Sequence, residues 1–166
     1  MLKIRPAVVE DCALILQLVR ELAAYEREPQ AVVATEEDFR RDGWGPEPKF
    51  QVLIAEWAGR PAGFALCCLH YSTWLGRAGI FLEDLFVRPE FRGHGIGKAL
   101  MAEVAALARD KQFYGVKWEV LDWNQPAIDF YERLGADVRR TWLPVRVTGE
   151  ALRKLAAGAR KVPVGP

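Results

Sequence analysis

The sequence predicts an α/β (α+β) protein: a central mixed, twisted sheet with helices on both faces. The middle of the chain is dense in β-rich runs, "KFQVLIAEWAG", "RPAGFALCCLHYS" and "RAGIFLEDLFVRP", each bounded by turn residues. The chain then closes on a β-α-β-α alternation, with "GIGKALMAEVAALARDKQ" as its strongest helical stretch, rich in Ala, Leu, Met and Lys. No repeat, linker or low-complexity segment divides its 166 residues, so a single domain over 1–166 is expected.

Each element has a local reason. "LKIRPA" reads as a first strand whose pairing Pro6 ends. In "VEDCALILQLVRELAAYE", Leu14, Leu16, Leu18, Val19 and Leu22 recur at near-helical spacing, and Glu10 and Asp11 suit a helix start. Thr35 with Asp38 three residues on fits the cap of a short helix that Gly43 would stop. A Gly-Arg-Pro turn at 59–61 joins the first two central runs into a hairpin. "VKWEVLDW" is read as a strand, and "NQPAIDFYERLG" as a helix with Pro126 near its first turn and Gly135 at its end. "ADVRRTWLPVRVT" is expected as a last strand, "GEALRKLAAGARK" as an amphipathic helix, and the terminal "VPVGP" as frayed.

Composition excludes several functions. A net charge of +1 gives no concentrated basic surface for nucleic acid. No apolar run approaches the ~20 residues of a membrane span, and "MLKIRPAVVEDC" lacks the apolar segment of a signal peptide. A cytoplasmic enzyme or binding domain is expected. Cys12, Cys67 and Cys68 have no paired spacing, and with only His70 and His94 beside them no metal is expected.

The chemistry gathers in "LEDLFVRPEFRGHGIGKAL". A strand, then glycines, then a strong helix is what an anion site needs. Glycines let backbone N–H groups converge on a phosphate, and the helix N-terminus adds partial positive charge. Arg92 and Lys98 supply charge at the rim. The phosphate-binding loop of NTPases would need glycine at position 92 and Ser or Thr at 99, where this chain has Arg92 and Ala99. Neither Gly93 nor Gly95 begins a dinucleotide fingerprint. The bland alternative is a loop that merely caps a helix, but three glycines in five residues cost backbone entropy that a cap does not require.

"R-G-H-G-I-G" at Arg92–Gly97 resembles the R/Q-x-x-G-x-G/A signature of the GCN5-related N-acetyltransferases (GNAT), which bind the pyrophosphate of acetyl-CoA. "YSTWLGR", "FLEDLFVRPEFRGHGIG", "VLDWNQPAIDFYERLGA" and "GEALRKLA" resemble the diamine acetyltransferase branch of that family, its thialysine-acetylating members above all. The likeness runs from "IRPAVVEDC" to near residue 157. It implies the GNAT fold, acetyl-CoA as cosubstrate and a homodimer, with "TWLPVRV" and the C-terminal helix as a possible interface.

Acetyl transfer from a thioester to an amine sets two chemical requirements. A lysine-like amine has a pKa of about 10.4, so a base must take a proton before attack. The departing thiolate benefits from an acid. Side-chain alternation would put Glu83 and Asp84 on opposite faces of their strand, one of them toward a polar cleft. The resemblance makes Glu83 the base, directly or through water, with Asp84 adding negative potential, and Tyr131 the acid that meets the thiolate. A packing role for Tyr131 and a strand-edge acid pair are the alternatives. For the cosubstrate it implies the backbone of Leu85, Phe86 and Val87, the turn Arg92, Gly93, His94, Gly95, Ile96, Gly97 and Lys98, and the segment Asn124, Gln125, Pro126 and Ala127. The His94 ring is expected to face solvent, and Asn124 to serve also as a helix cap.

On the acceptor side the resemblance makes Tyr25 and Glu26 positions that contact the amine, and Trp74 and Trp142 wall residues; a solvated helix-end charge for Glu26 and core packing for the two tryptophans are the alternatives. The family has Glu-Gly where this chain has Arg140-Thr141, in a segment about three residues shorter. That reversal disfavours a polycation and favours an acceptor whose carboxylate meets Arg140. The expected activity is direct transfer to the primary amine of a small molecule, a thialysine- or lysine-like amino acid or a diamine. The alternatives are acetylation of a protein lysine or N-terminus, and a non-catalytic acetyl-CoA-binding module, which would not need Glu83 and Tyr131 together.

Overall fold

The computed structural model describes residues 1–160, so the "VPVGP" end lies outside the described residues. The chain divides into two compact units, 1–123 and Asn124 onward.

The first unit holds one five-stranded sheet in the order β1-β2-β3-β4-β5. Its strands are β1 (Leu2–Pro6), β2 (Phe50–Trp57), β3 (Arg60–Ser72), β4 (Arg77–Val87) and β5 (Val116–Lys117), and its helices are α1 (Cys12–Tyr25), α2 (Glu36–Trp44) and α3 (Ile96–Asp110). The first four strands pair antiparallel and β5 runs parallel to β4, as expected of a mixed sheet. The β2–β3 turn falls on Ala58 and Gly59, both at positive φ, one residue earlier than the expected Gly-Arg-Pro turn, and Arg60 and Pro61 are already in the strand.

Side-chain alternation sorts the sheet's residues onto two faces. Val52, Ile54, Phe64, Leu66 and Phe86 pack with Ile15, Leu18 and Leu22 of α1. Ala55, Ala65, Cys67, Ile80 and Leu82 pack with Ile96, Leu100 and Val104 of α3. Two arginines fix α1 on its face. Arg5 donates to both Asp11 carboxylate oxygens, at 2.7 and 2.9 Å, and to Glu56 at 2.7 Å. Arg88, just past β4, grips Glu21 of α1 with two bonds of 2.8 Å and donates to the Pro61 carbonyl.

Two expectations about this unit need correction. Thr35 and Asp38 do form a reciprocal cap, but α2 runs through Gly43 and stops at Gly45. Gly43 is there for room, since a Cβ on it would stand 2.8 Å from the Phe50 ring. The strand expected over 116–123 pairs only at Val116 and Lys117. Its partner β4 bulges two residues past Phe81, and a bulge bends its strand and ends regular pairing.

In the second unit, helices α4 (Gln125–Arg133) and α5 (Gly149–Ala157) form as expected. Among the described residues, however, no strand forms over 136–148. Its Trp142, Leu143, Val145 and Val147 are exposed, and Pro144 removes a ladder donor. High β-propensity alone makes no strand, because it reports fit to a half-buried surface that these exposed residues lack.

Candidate active site

Glu83 owes its placement to an irregularity in the β3–β4 ladder. Leu66 pairs with Asp84 and Cys67 with Leu82, leaving Glu83 as an extra, unpaired residue. Leu82 and Leu85 both pack on the α3 side, so the two residues between them stand together on the α1 side. The expected split of Glu83 and Asp84 to opposite faces is therefore wrong, because the bulge resets the alternation.

The two acids share that face with Cys68 of β3, whose thiol is raised by burial and further by Glu83 and Asp84. Glu26, at the end of α1, also acts on Asp84. Burial first, then the negative charges of Glu83 and Glu26, lift the Asp84 carboxyl to about 7. Burial alone raises Glu26. Three carboxyls thus gather where α1 ends over β4, and such a cluster attracts a cationic amine. Cys67, on the α3 side, is a buried thiol pushed up to about 12, and all three cysteines are free.

The glycine turn lies one strand-end away. Gly93 and Gly95 have φ of +81° and +76°, a left-handed backbone that favours glycine, and a Cβ on either would meet open space. Gly95 is also the N-cap of α3 and offers no side-chain cap, so the first N–H groups of a 15-residue helix face the turn. This donor set fits an anion such as a pyrophosphate. Ile96 is buried and anchors the turn, whereas Arg92, His94 and Lys98 are exposed. The His94 Nδ1 lies 3.0 Å from the Arg92 carbonyl, and its ring packs 4.8 Å from Trp57. Arg92 donates from Nε to the Val87 carbonyl at 2.9 Å and sets its guanidinium 4.6 Å over the Tyr25 ring. It therefore joins the turn to Tyr25, the last residue of α1. Beyond Phe81, no strand pairs with β4 on its β5 side among the described residues. Leu85, Phe86 and Val87 thus lie on an edge suited to an added extended ligand.

In the second unit, Asn124 is buried and its side chain accepts from the Ala127 N–H, which is the cap role anticipated for it. Gln125, Pro126 and Ala127 form the first turn of α4. Tyr131 is buried on the same helix, its ring 5.3 Å from Phe130. Arg140 is exposed. Trp74 and Trp142, expected as wall residues, are 87% and 65% exposed.

Sequence reasoning missed the Arg88–Glu21 pair, which sets the height of α1 above β4 and so the positions of Tyr25 and Glu26. Its partners lie 67 residues apart, and no local pattern reports such a pairing. It also missed Arg27, whose guanidinium lies 4.2 Å over the Trp123 ring.

The model of the acetyltransferase (GNAT) family matches residues 16–136. The chain belongs to the GNAT acetyltransferase family. Among relatives of this acetyltransferase, the thialysine N-epsilon-acetyltransferase of Sus scrofa is 43% identical over 164 residues, covering 92% of this chain and 96% of the relative. The L-ornithine N5-acetyltransferase of Arabidopsis thaliana is 37% identical over 119 residues, 72% of this chain and 49% of the relative. Among solved structures, an integron cassette protein from the mobile metagenome of V. cholerae superposes with a TM-score of 0.78 at 26% identity, covering 93% of this acetyltransferase and 97% of that chain.

Proposed function

We infer that this acetyltransferase moves the acetyl group of acetyl-CoA to the primary amine of a small, lysine-like molecule. The observation that carries this reading is the carboxyl cluster of Glu26, Glu83 and Asp84 beside the bulge, next to a turn built for an anion. Acetyl-CoA, when bound, supplies the activated thioester. The N–H groups of 92–98 hold its pyrophosphate, with Arg92 and Lys98 adding charge. The free edge at Leu85, Phe86 and Val87 pairs with its amide-bearing arm, and Asn124, Gln125, Pro126 and Ala127 line the cosubstrate on the second unit. No metal is needed for this chemistry.

Glu83 takes the proton from the attacking amine, directly or through a water. Asp84 and Glu26 favour the cationic form on arrival, Tyr25 walls the acceptor, and the Tyr131 hydroxyl protonates the departing thiolate. Arg140 adds positive charge that disfavours a polyamine. The thialysine and ornithine acetyltransferases among its relatives support an amino-acid acceptor. We read the two units as one catalytic domain, since the family match spans residues of both. The protein works as a homodimer in the cytoplasm. The exposed Trp142, Leu143 and Val145 support the homodimer.

The test is a panel of thialysine, lysine, ornithine, spermidine and an aminoglycoside with acetyl-CoA, read by thiol release and product mass. Transfer to the amino acids supports the reading. Thiol release with none of these amines, or transfer only to peptide lysines, refutes it.

A further inference from the structure

The last residue of α1 and the two that follow bear on three different groups. Tyr25 meets Arg92 of the glycine turn, Glu26 acts on Asp84, and Arg27 lies on Trp123, directly before Asn124. The backbone there is a helix-ending motif. The Glu28 N–H bonds the Ala23 carbonyl at 2.8 Å, the Arg27 N–H bonds the Ala24 carbonyl at 3.2 Å, and Arg27 has φ +68°. That left-handed position is the one glycine ordinarily fills. An arginine there holds a strained conformation that glycine would relieve, and such strain is tolerated where the side chain has work to do.

The side chain is also prepared for a ligand. The guanidinium sits 4.2 Å over the Trp123 ring, and an arginine held on an aromatic face can still offer the fork of N–H donors that matches a carboxylate. Glu26 and Glu28 flank it and Asp122 precedes its stacking partner. Even so, among the described residues Arg27 forms no ion pair with any of them.

We propose that Arg27 is a specificity-determining residue that binds the carboxylate of an amino-acid acceptor while the carboxyls of Glu26, Glu83 and Asp84 receive its side-chain amine. The proposal rests on the function inferred above and names the residue that gives a lysine-like acceptor its preference over a diamine. A diamine lacking the carboxylate gains nothing from Arg27, and a polyamine meets a repelling cation.

Lysine and 1,5-diaminopentane differ only by the carboxylate, so they make the test. kcat and KM are measured for both on the parent, Arg27→Gly, Arg27→Gln and Arg27→Lys. The parent should prefer lysine. Arg27→Gly should raise KM for lysine at least tenfold with kcat nearly kept, the mark of lost ground-state binding, and leave the diamine within twofold. Arg27→Gln should follow it, and Arg27→Lys should recover part of the lysine preference. Because glycine suits the left-handed backbone, Arg27→Gly should melt at or above the parent's temperature. A lower melting temperature with both substrates impaired would give Arg27 a structural role and overturn the proposal. So would equal changes for the two substrates, or none for lysine. A parent that acetylates the diamine but not lysine overturns this proposal and leaves amine acetylation standing; a parent that acetylates neither overturns both.

Discussion

Replacing Asp84 by Asn should change stability in a pH-dependent way whose sign follows from its surroundings. The carboxyl sits near 7 in the folded protein, against 3.8 as a free side chain, because burial and then Glu83 and Glu26 oppose its ionisation. Between those values the folded protein holds a proton that the unfolded chain has released. Stability therefore falls as pH rises from about 4 to about 7 and levels off above. Three pH units at about 1.4 kcal/mol each set a ceiling of about 4 kcal/mol on this penalty. Asp84→Asn removes it. Urea unfolding of both proteins from pH 4 to 9 should give a difference near zero at pH 4 that grows to a plateau above pH 7, with the variant the more stable. Asp11 and Glu21, held low by Arg5 and Arg88 respectively, act in the opposite sense. Their contribution is lost only as pH falls through the acid range, and it cancels between the two proteins. The same variant should bind the amine more weakly, having lost one of three carboxyls. Calorimetry in two buffers of different ionisation enthalpy should show the parent releasing a proton near pH 7 when a cationic amine binds, and the variant releasing less. A stability difference independent of pH would show that Asp84 is ionised in the fold like any surface acid, and the cluster argument would fail.

The other expectations concern the proposed chemistry. Gly95→Val forces a branched residue into a left-handed position beside the N–H donors of α3 and should weaken acetyl-CoA binding at least tenfold, about 1.4 kcal/mol by calorimetry; equal affinities would remove the turn from the site. Tyr131→Phe keeps the ring and should lower kcat roughly 10²-fold with little effect on acetyl-CoA affinity. Turnover at the parent rate would make Tyr131 a packing residue. Glu83→Gln should lower the rate mainly below the pKa of the acceptor amine, and an equal loss at high pH would assign Glu83 to binding instead of proton transfer.

Much of the fold was legible because it rests on local signals. The Thr35–Asp38 cap, the Leu-rich face of α1 and the glycines ahead of α3 each announce themselves within a few residues. The elements misread were those whose outcome depends on a distant partner. The run over 136–148 has strand composition, yet among the described residues it forms no strand and its Trp142, Leu143, Val145 and Val147 stay exposed. Gly43 reads as a helix stop, and only the Phe50 ring against it shows a place where a Cβ has no room. In the site, Glu83 and Asp84 stood out as acids within an apolar run, whereas Glu26 was reached only through the family resemblance. The bulge that turns Glu83 and Asp84 to one side did not, because a bulge appears only when two strands are set in register. Arg27 was silent for a related reason: a charged residue at a helix end is ordinary until its φ and its aromatic neighbour are known.

The bulge at Glu83 also makes β4 a strand of two parities. Before it, Ile80 and Leu82 point toward α3; after it, Leu85 and Val87 do. A slip of one residue along β3 would turn apolar side chains out on both sides of the bulge and drive Glu83 or Asp84 toward the α3 core. Neither half can slip by a single residue without turning its side chains to the opposite face. The irregularity that gathers the carboxyls is thus one residue wide: deleting Glu83 would leave Leu82 opposite Cys67 and Asp84 opposite Leu66 in unbroken alternation, so it would disarm the site while the sheet kept its pairing.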